Sequence, residues 1–189
     1  MSTPDIIDAK ILRSDGSPGV GPQRATWRFM RGHPAHWIAL GFGSGLAPWA
    51  PGTVGTVWAW ATFLILDRWL DSLAWGLLLL ASVLIGIWAC TRTAQHLGLA
   101  DPGAIVWDEV VGFWLVLWLV MPAGLLGQAV AFALFRFFDT VKPGPVRWAD
   151  RLFKNARGWR QGWGILFDDL VAVLCTLLVI ALWRFAWAA

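Results

Sequence analysis

From Ser72 to Thr91 the chain runs for 20 residues without a charged side chain, and no other feature constrains its fold more. As an α-helix this run is about 30 Å long, the thickness of a bilayer's hydrocarbon core. Composition points the same way. With 58% hydrophobic and 14% charged residues and a mean hydropathy of +0.60, the chain falls in the membrane class rather than among soluble globules. It has 16 tryptophans and no tyrosine. Indole rings favour the headgroup level, and Trp27, Trp37, Trp69, Trp75, Trp148, Trp159, Trp183 and Trp187 all flank apolar runs.

The formal charge of +3 and pI near 9.4 come from basic residues beside apolar segments, so the expected partner is anionic lipid and not nucleic acid. Cys90 and Cys175 lie inside apolar runs and read as small buried hydrophobes, not as a disulfide or a metal pair. The opening MSTPDIIDAK has neither the basic nor the apolar region of a cleaved signal peptide. Insertion is therefore expected to be driven by internal spans.

Residues 1–35 are expected to form a polar cytoplasmic segment, with an interfacial turn near Trp27 to Met30, and residues 36–189 a single membrane-embedded domain. The stretch 36–53 is apolar but interrupted by Gly and Pro, and reads as a re-entrant or surface loop. Thr53 is placed to cap the helix that follows. Spans are expected over Val54 to Leu66 and Ser72 to Thr91, with a polar turn over 92–104. Residues 110–135 carry no charge and read as one long helix or as two helices bent at Met121-Pro122-Ala123-Gly124. Basic residues at 140–164 fall on the side of the basic N-terminus only with the bend, so the prediction is a hairpin, Ala104 to Met121 and Leu125 to Asp139. A last span runs from Gly164 to Trp183. The expected fold is all-α and polytopic, with about five membrane-embedded helices and a cytoplasmic N-terminus.

This topology brings the embedded polar groups to one face. Thr53 and Thr56 begin the first span, Asp108 and Glu109 the third, and Asp168 and Asp169 the fifth, while Arg136 and Asp139 end the fourth. Singly, each has an ordinary explanation: an i, i+3 ion pair, or acids in a first turn favoured by the helix dipole. Independent structural charges have no reason to share one side. Five carboxylates, Asp108, Glu109, Asp139, Asp168 and Asp169, suit a hard cation such as Mg²⁺, beside Arg136, Lys142, Thr53 and Thr56 as the expected phosphate-binding groups. The expected substrate is an anionic phospholipid. His33, His36 and His96 read as surface residues, and Gly41, Gly43 and Gly45 as a phosphate cradle or a packing device. A non-catalytic cation transporter or membrane assembly subunit also needs intramembrane carboxylates, but along a path across the bilayer and not on one face.

Four stretches, GFGSGLAPWAPGTVGT (41–56), IVWDEVVGFW (105–114), FRFFDTVKPGPVRWADR (135–151) and GWGILFDDLVA (162–172), resemble the phosphatidylglycerophosphatase A family. The resemblance runs in order from about residue 35 to 180. It implies a multi-pass enzyme of the bacterial inner (cytoplasmic) membrane that dephosphorylates phosphatidylglycerophosphate to phosphatidylglycerol with Mg²⁺. The family's acidic motif falls on Asp108 and Glu109, its arginine, aspartate and lysine on Arg136, Asp139 and Lys142, and its final pair on Asp168 and Asp169. Its proline, glycine and threonine are Pro51, Gly52 and Thr53. Gly144 stands where an aromatic is common, and Gln161 replaces one of a glycine pair. A phosphatase for another lipid phosphate would keep the same polar set. The nucleophile is either metal-activated water, with the carboxylates serving only as ligands, or one of Asp108, Asp139, Asp168 and Asp169 in an aspartyl-phosphate route; with no DxDxT-like motif in the chain, water is the expectation.

Overall fold

The computed structural model describes residues 23–153 and 156–188, and among them every regular element is a helix. The expectation for residues 1–22 lies outside these. Two short helices, α1 (Trp27–Met30) and α2 (Pro34–Ala39), lead through a 3₁₀ turn (Gly41–Leu46) to α3 (Pro51–Leu66). Then follow α4 (Ser72–Leu97), α5 (Trp107–Val120), α6 (Leu125–Val141), α7 (Pro145–Phe153) and α8 (Trp159–Ala188).

The ends of these helices follow from local chemistry. Asp71 caps α4 by accepting from the Ala74 amide at 2.8 Å, and Gly98 ends it in the left-handed conformation. The bend between α5 and α6 carries a cis Met121–Pro122 bond. Gln128 closes it: its Nε2 donates to the Ala123 carbonyl at 2.9 Å while its Oε1 accepts from Trp60 Nε1 at 2.6 Å. So the charge-free run is two helices. Gly112 packs on Phe135, and Phe113 stacks on Phe135 and meets Phe132, so α6 runs back antiparallel along α5.

Other contacts fix the remaining directions. Gly52 and Gly55 of α3 meet Glu109 and Val106, and Ala59 accepts from Trp114 Nε1 at 2.9 Å, so α3 runs parallel to α5. The Ser82 carbonyl accepts from Trp107 Nε1 at 3.0 Å and Gly76 faces Trp118, so α4 is antiparallel to it. Arg184 of α8 donates to the Val120 carbonyl at 3.0 Å, which aligns α8 with α5. The result is an alternating bundle of α3, α4, α5, α6 and α8. Its core holds Phe63, Trp75, Phe113, Trp114 and Phe135, and glycines let the helices approach closely where Gly86 meets Trp107 and Gly112 meets Phe135.

Of these helices, α4 and α8 are long and apolar enough to cross a membrane; α3, α5 and α6 have 16, 14 and 17 residues. Only 33% and 39% of the apolar windows of α4 and α8 are buried, unlike a core helix of a soluble protein. On α4 the stripe Leu73, Leu77, Leu80, Leu84 and Trp88 stands exposed at helical spacing, and on α8 Leu174, Leu178, Leu182 and Phe185 do so. A continuous apolar face of this extent calls for membrane association.

Several expectations need correction. Thr53 does not cap α3: the N-cap is Ala50, at φ 45°, and Pro51 opens the helix at no hydrogen-bond cost. The polar turn at 92–104 begins only after Leu97, because Thr93, Ala94 and Leu97 are buried and carry the helix on. The stretch 36–53 is not featureless, since it contains most of α2 and the 3₁₀ turn. The helix α7 adds an element to the expected spans within the basic segment 140–164. His36 is not a surface residue: it is buried, its Nδ1 pairs with the Phe29 carbonyl at 2.8 Å and its Nε2 with His96 Nδ1 at 2.8 Å.

Candidate active site

At one end of the bundle lies a cavity of about 550 Å³ lined by Asp101, Asp108, Glu109, Asp139, Asp150, Asp168 and Asp169, with Lys142 as its one lysine or arginine among the described residues. The direction of each helix explains the meeting. The first turn of α5 brings Asp108 and Glu109, the last turns of α6 bring Asp139, and α8 passes alongside with Asp168 and Asp169.

Asp168 and Asp169 do not start their helix. It opens at Trp159, so the pair sits about 15 Å along the axis, beyond the first-turn effect of the helix dipole. That removes the dipole as their explanation. Consecutive residues point about 100° apart, and here the two diverge. Asp169 joins Asp108 and Glu109, each offering an oxygen within 4.8 Å of the others, while Asp168 pairs with Lys142 Nζ.

One oxygen on each of the three, Asp108 Oδ1, Glu109 Oε2 and Asp169 Oδ2, is buried with no hydrogen-bond partner. Orphaned carboxylate oxygens are costly to desolvate, and three together repel one another. A bound metal ion removes both costs, and its donors would be these three groups.

Arg136 lies one layer behind them and does not line the cavity. Its Nη1 pairs with Asp139 and reaches Glu109 Oε1 at 3.6 Å and Thr56 Oγ1 at 3.4 Å, while its Nη2 donates to Thr140 Oγ1 at 3.3 Å. Thr56 is itself buried and donates to the Gly52 carbonyl at 2.8 Å. Neither Thr53 nor Thr56 lines the cavity. Gly52 is required by contact, since a Cβ there would overlap Glu109 Oε1 and stand 3.1 Å from Arg136 Nη2. A glycine at this point lets the start of α3 close over the carboxylate.

Lys142 follows α6 in the left-handed conformation, φ 48°, an uncommon one for a residue with a Cβ. This turn swings its side chain away from Arg136 and Asp139 and onto Asp168 and Asp150, the latter at 2.6 Å. Burial opposes its charge, but the two carboxylates outweigh that and hold its pKa above the usual lysine range.

Sequence reasoning missed Asp101 and Asp150. Asp150 was recoverable in part: Val146, Ala149, Asp150 and Phe153 share one face at helical spacing, and in α7 that face turns inward. Asp101 sits in a turn with no periodic signal. Gly41 and Gly45 pack against Val106, Gly45 also against the Ala104 carbonyl, and Gly43 against Trp27, the packing alternative of the two expected.

The phosphatidylglycerophosphatase A family model matches residues 37–184, a stretch that holds every carboxylate of the cavity. This chain belongs to the phosphatidylglycerophosphatase A family. Phosphatidylglycerophosphatase A of Escherichia coli K12 is 39% identical over 145 residues, covering 77% of this chain and 80% of that one. Its namesake in Haemophilus influenzae is 37% identical over 148 residues, 78% and 87% of the two chains. A Bacteroides thetaiotaomicron protein, provisionally named a phosphatidylinositol-3-phosphatase, is 37% identical over 154 residues, 78% and 91% of the chains. No solved structure matches this one. For this family member the cavity is thus the place to look for phosphate-ester chemistry.

Proposed function

We propose that this protein is a Mg²⁺-dependent lipid phosphomonoesterase that hydrolyses phosphatidylglycerophosphate to phosphatidylglycerol and inorganic phosphate in glycerophospholipid biosynthesis. It acts at the cytoplasmic face of the bacterial inner membrane, with α3, α4, α5, α6 and α8 as five membrane-embedded helices and residues 36–189 as one catalytic domain. The family membership and the names of the Escherichia coli and Haemophilus influenzae relatives support the reaction.

The observation that carries the metal is the charge of the cavity: seven carboxylates against one ammonium. A phosphate monoester brings further negative charge and is repelled from such a wall unless a cation is present. Asp108, Glu109 and Asp169, with their orphaned oxygens, would hold Mg²⁺. When bound, that ion supplies Lewis-acid stabilisation of phosphoryl charge and activation of water.

The chain's own groups do the rest. Lys142 faces the cavity and receives the phosphoryl oxygens, while Asp150 and Asp168 fix its ammonium. Arg136, held behind the carboxylates, orients Asp139 and Glu109 rather than touching the phosphate. Water is the nucleophile in an in-line displacement. Phosphate release from a panel of lipid phosphates tests the substrate. Phosphatidylglycerophosphate is expected to be turned over at least roughly tenfold faster, per kcat/KM, than phosphatidic acid or phosphatidylinositol 3-phosphate, a gap of about 1.4 kcal/mol. Equal or faster turnover of either competitor would reject the substrate assignment.

A further inference from the structure

The helix α7 has two working faces, and only one is used by the site. Inward, Val146 and Ala149 are buried against α8, and Asp150 and Phe153 line the cavity. Outward, Arg147 and Arg151 form one row at i, i+4, and Trp148 and Leu152, 59% and 51% exposed, form the next. The Trp148 ring is anchored at its base by Phe167 of α8, at 6.5 Å between centroids. Arg157, Trp159 and Arg160 continue this exposed basic and aromatic surface into the start of α8.

A basic row beside an apolar row on a helix that does not span is the pattern of a segment lying in the membrane–water interface. The occupant of such a face must offer phosphates to the arginines and acyl or glycerol carbon to the indole and leucine. We propose that α7 docks in the headgroup layer, with Arg147 and Arg151 on the phosphates of anionic phospholipids and Trp148 and Leu152 below them, so that the cavity mouth is held at the depth where a lipid phosphate lies. Charge complementarity selects the anionic bilayer surface as partner. The apolar stripes of α4 and α8 already belong to membrane-associated helices of the same bundle. Lys142 joins the two faces, because its bond to Asp150 ties α7 to the end of α6. The inference rests on the cytoplasmic-face reading above, but its test does not depend on turnover.

The full-length protein carrying Leu152→Cys and Cys175→Ala, Cys90 being fully buried, is labelled with a nitroxide. It is then reconstituted in vesicles of phosphatidylcholine alone or mixed with phosphatidylserine. The label should become more accessible to oxygen and less to a water-soluble relaxation reagent when phosphatidylserine is present. Arg147→Gln with Arg151→Gln should reverse that gain, on the order of fivefold in the docking equilibrium for each arginine removed. A label equally exposed to the aqueous reagent in both vesicles would overturn the proposal. So would a double variant that behaves like its parent. Both arginines are exposed, so the variants should fold. Loss of the phosphatase reading alone would leave this result standing.

Discussion

Gly52→Ala separates the candidate site from the fold more cleanly than removal of a charged group. The added Cβ overlaps Glu109 Oε1 and comes within 3.1 Å of Arg136 Nη2, so the carboxylate must retreat by roughly 1 Å, a displacement that can cost about 100-fold in rate. Stability falls by less than the roughly 2.7 kcal/mol that a 100-fold rate loss represents. Overpacking costs about 1–3 kcal/mol, and replacing a helical glycine by alanine returns about 1 kcal/mol. The net loss is therefore about 0–2 kcal/mol, roughly 0–8 °C in melting temperature at 2–4 °C per kcal/mol. Gly76→Ala in α4 is the control, because its Cβ would meet only Trp118 at 3.8 Å. It should be neutral or slightly stabilising and fully active. Phosphate release and thermal unfolding in detergent, measured on both variants, decide the matter. Full activity in a folded Gly52→Ala protein would refute the claim that Glu109 must sit where α3 holds it.

The other predictions concern charges. Asp108→Asn or Asp169→Asn should lower kcat/KM by at least about 100-fold, since even groups supporting a metal ligand are worth 10- to 100-fold; normal kinetics would remove that residue from the site. Lys142→Ala leaves Asp150 and Asp168 without their shared partner. It should weaken phosphate binding or transition-state stabilisation by about 1–3 kcal/mol, and unchanged kinetics would exclude that role. His36 is held below the usual imidazole range by burial, against the opposing bond to the Phe29 carbonyl. The unfolded chain therefore takes up its proton at higher pH than the folded one. Stability should be full above about pH 6.5 and fall as pH drops below it. His36→Gln should flatten that dependence in a melting-temperature series, and an unchanged slope would contradict the burial argument.

What the sequence made legible was set by periodicity and breaks. The α5–α6 bend was readable because Pro122 and Gly124 interrupt a charge-free run, and it carries the site, since it returns Arg136 and Asp139 to Glu109. The length of α8 was not readable from hydropathy. Its first turns, Trp159 to Gly164, are polar and glycine-bearing yet helical, because Gly162 fits against the Ile87 carbonyl and Thr91 of α4. That tertiary contact turned a supposed first-turn pair into a mid-helix pair. The split of the carboxylates was also invisible. It depends on Lys142 leaving its helix in the left-handed conformation to reach Asp168, and no spacing rule predicts that for a lysine. His36 reads as polar in sequence, and only its stacking on Phe29 and its bond to His96 show it as interior.

Asp108, Glu109 and Asp169 are proposed to hold a metal needed for lipid phosphate hydrolysis. Phosphate release from phosphatidylglycerophosphate by the purified protein in detergent, with Mg²⁺, then with EDTA, then with Mg²⁺ restored, tests it directly. Turnover should stop on chelation and return with the ion. Turnover that persists in EDTA would contradict the metal, and no turnover of this lipid by folded, Mg²⁺-supplied protein would contradict the reaction.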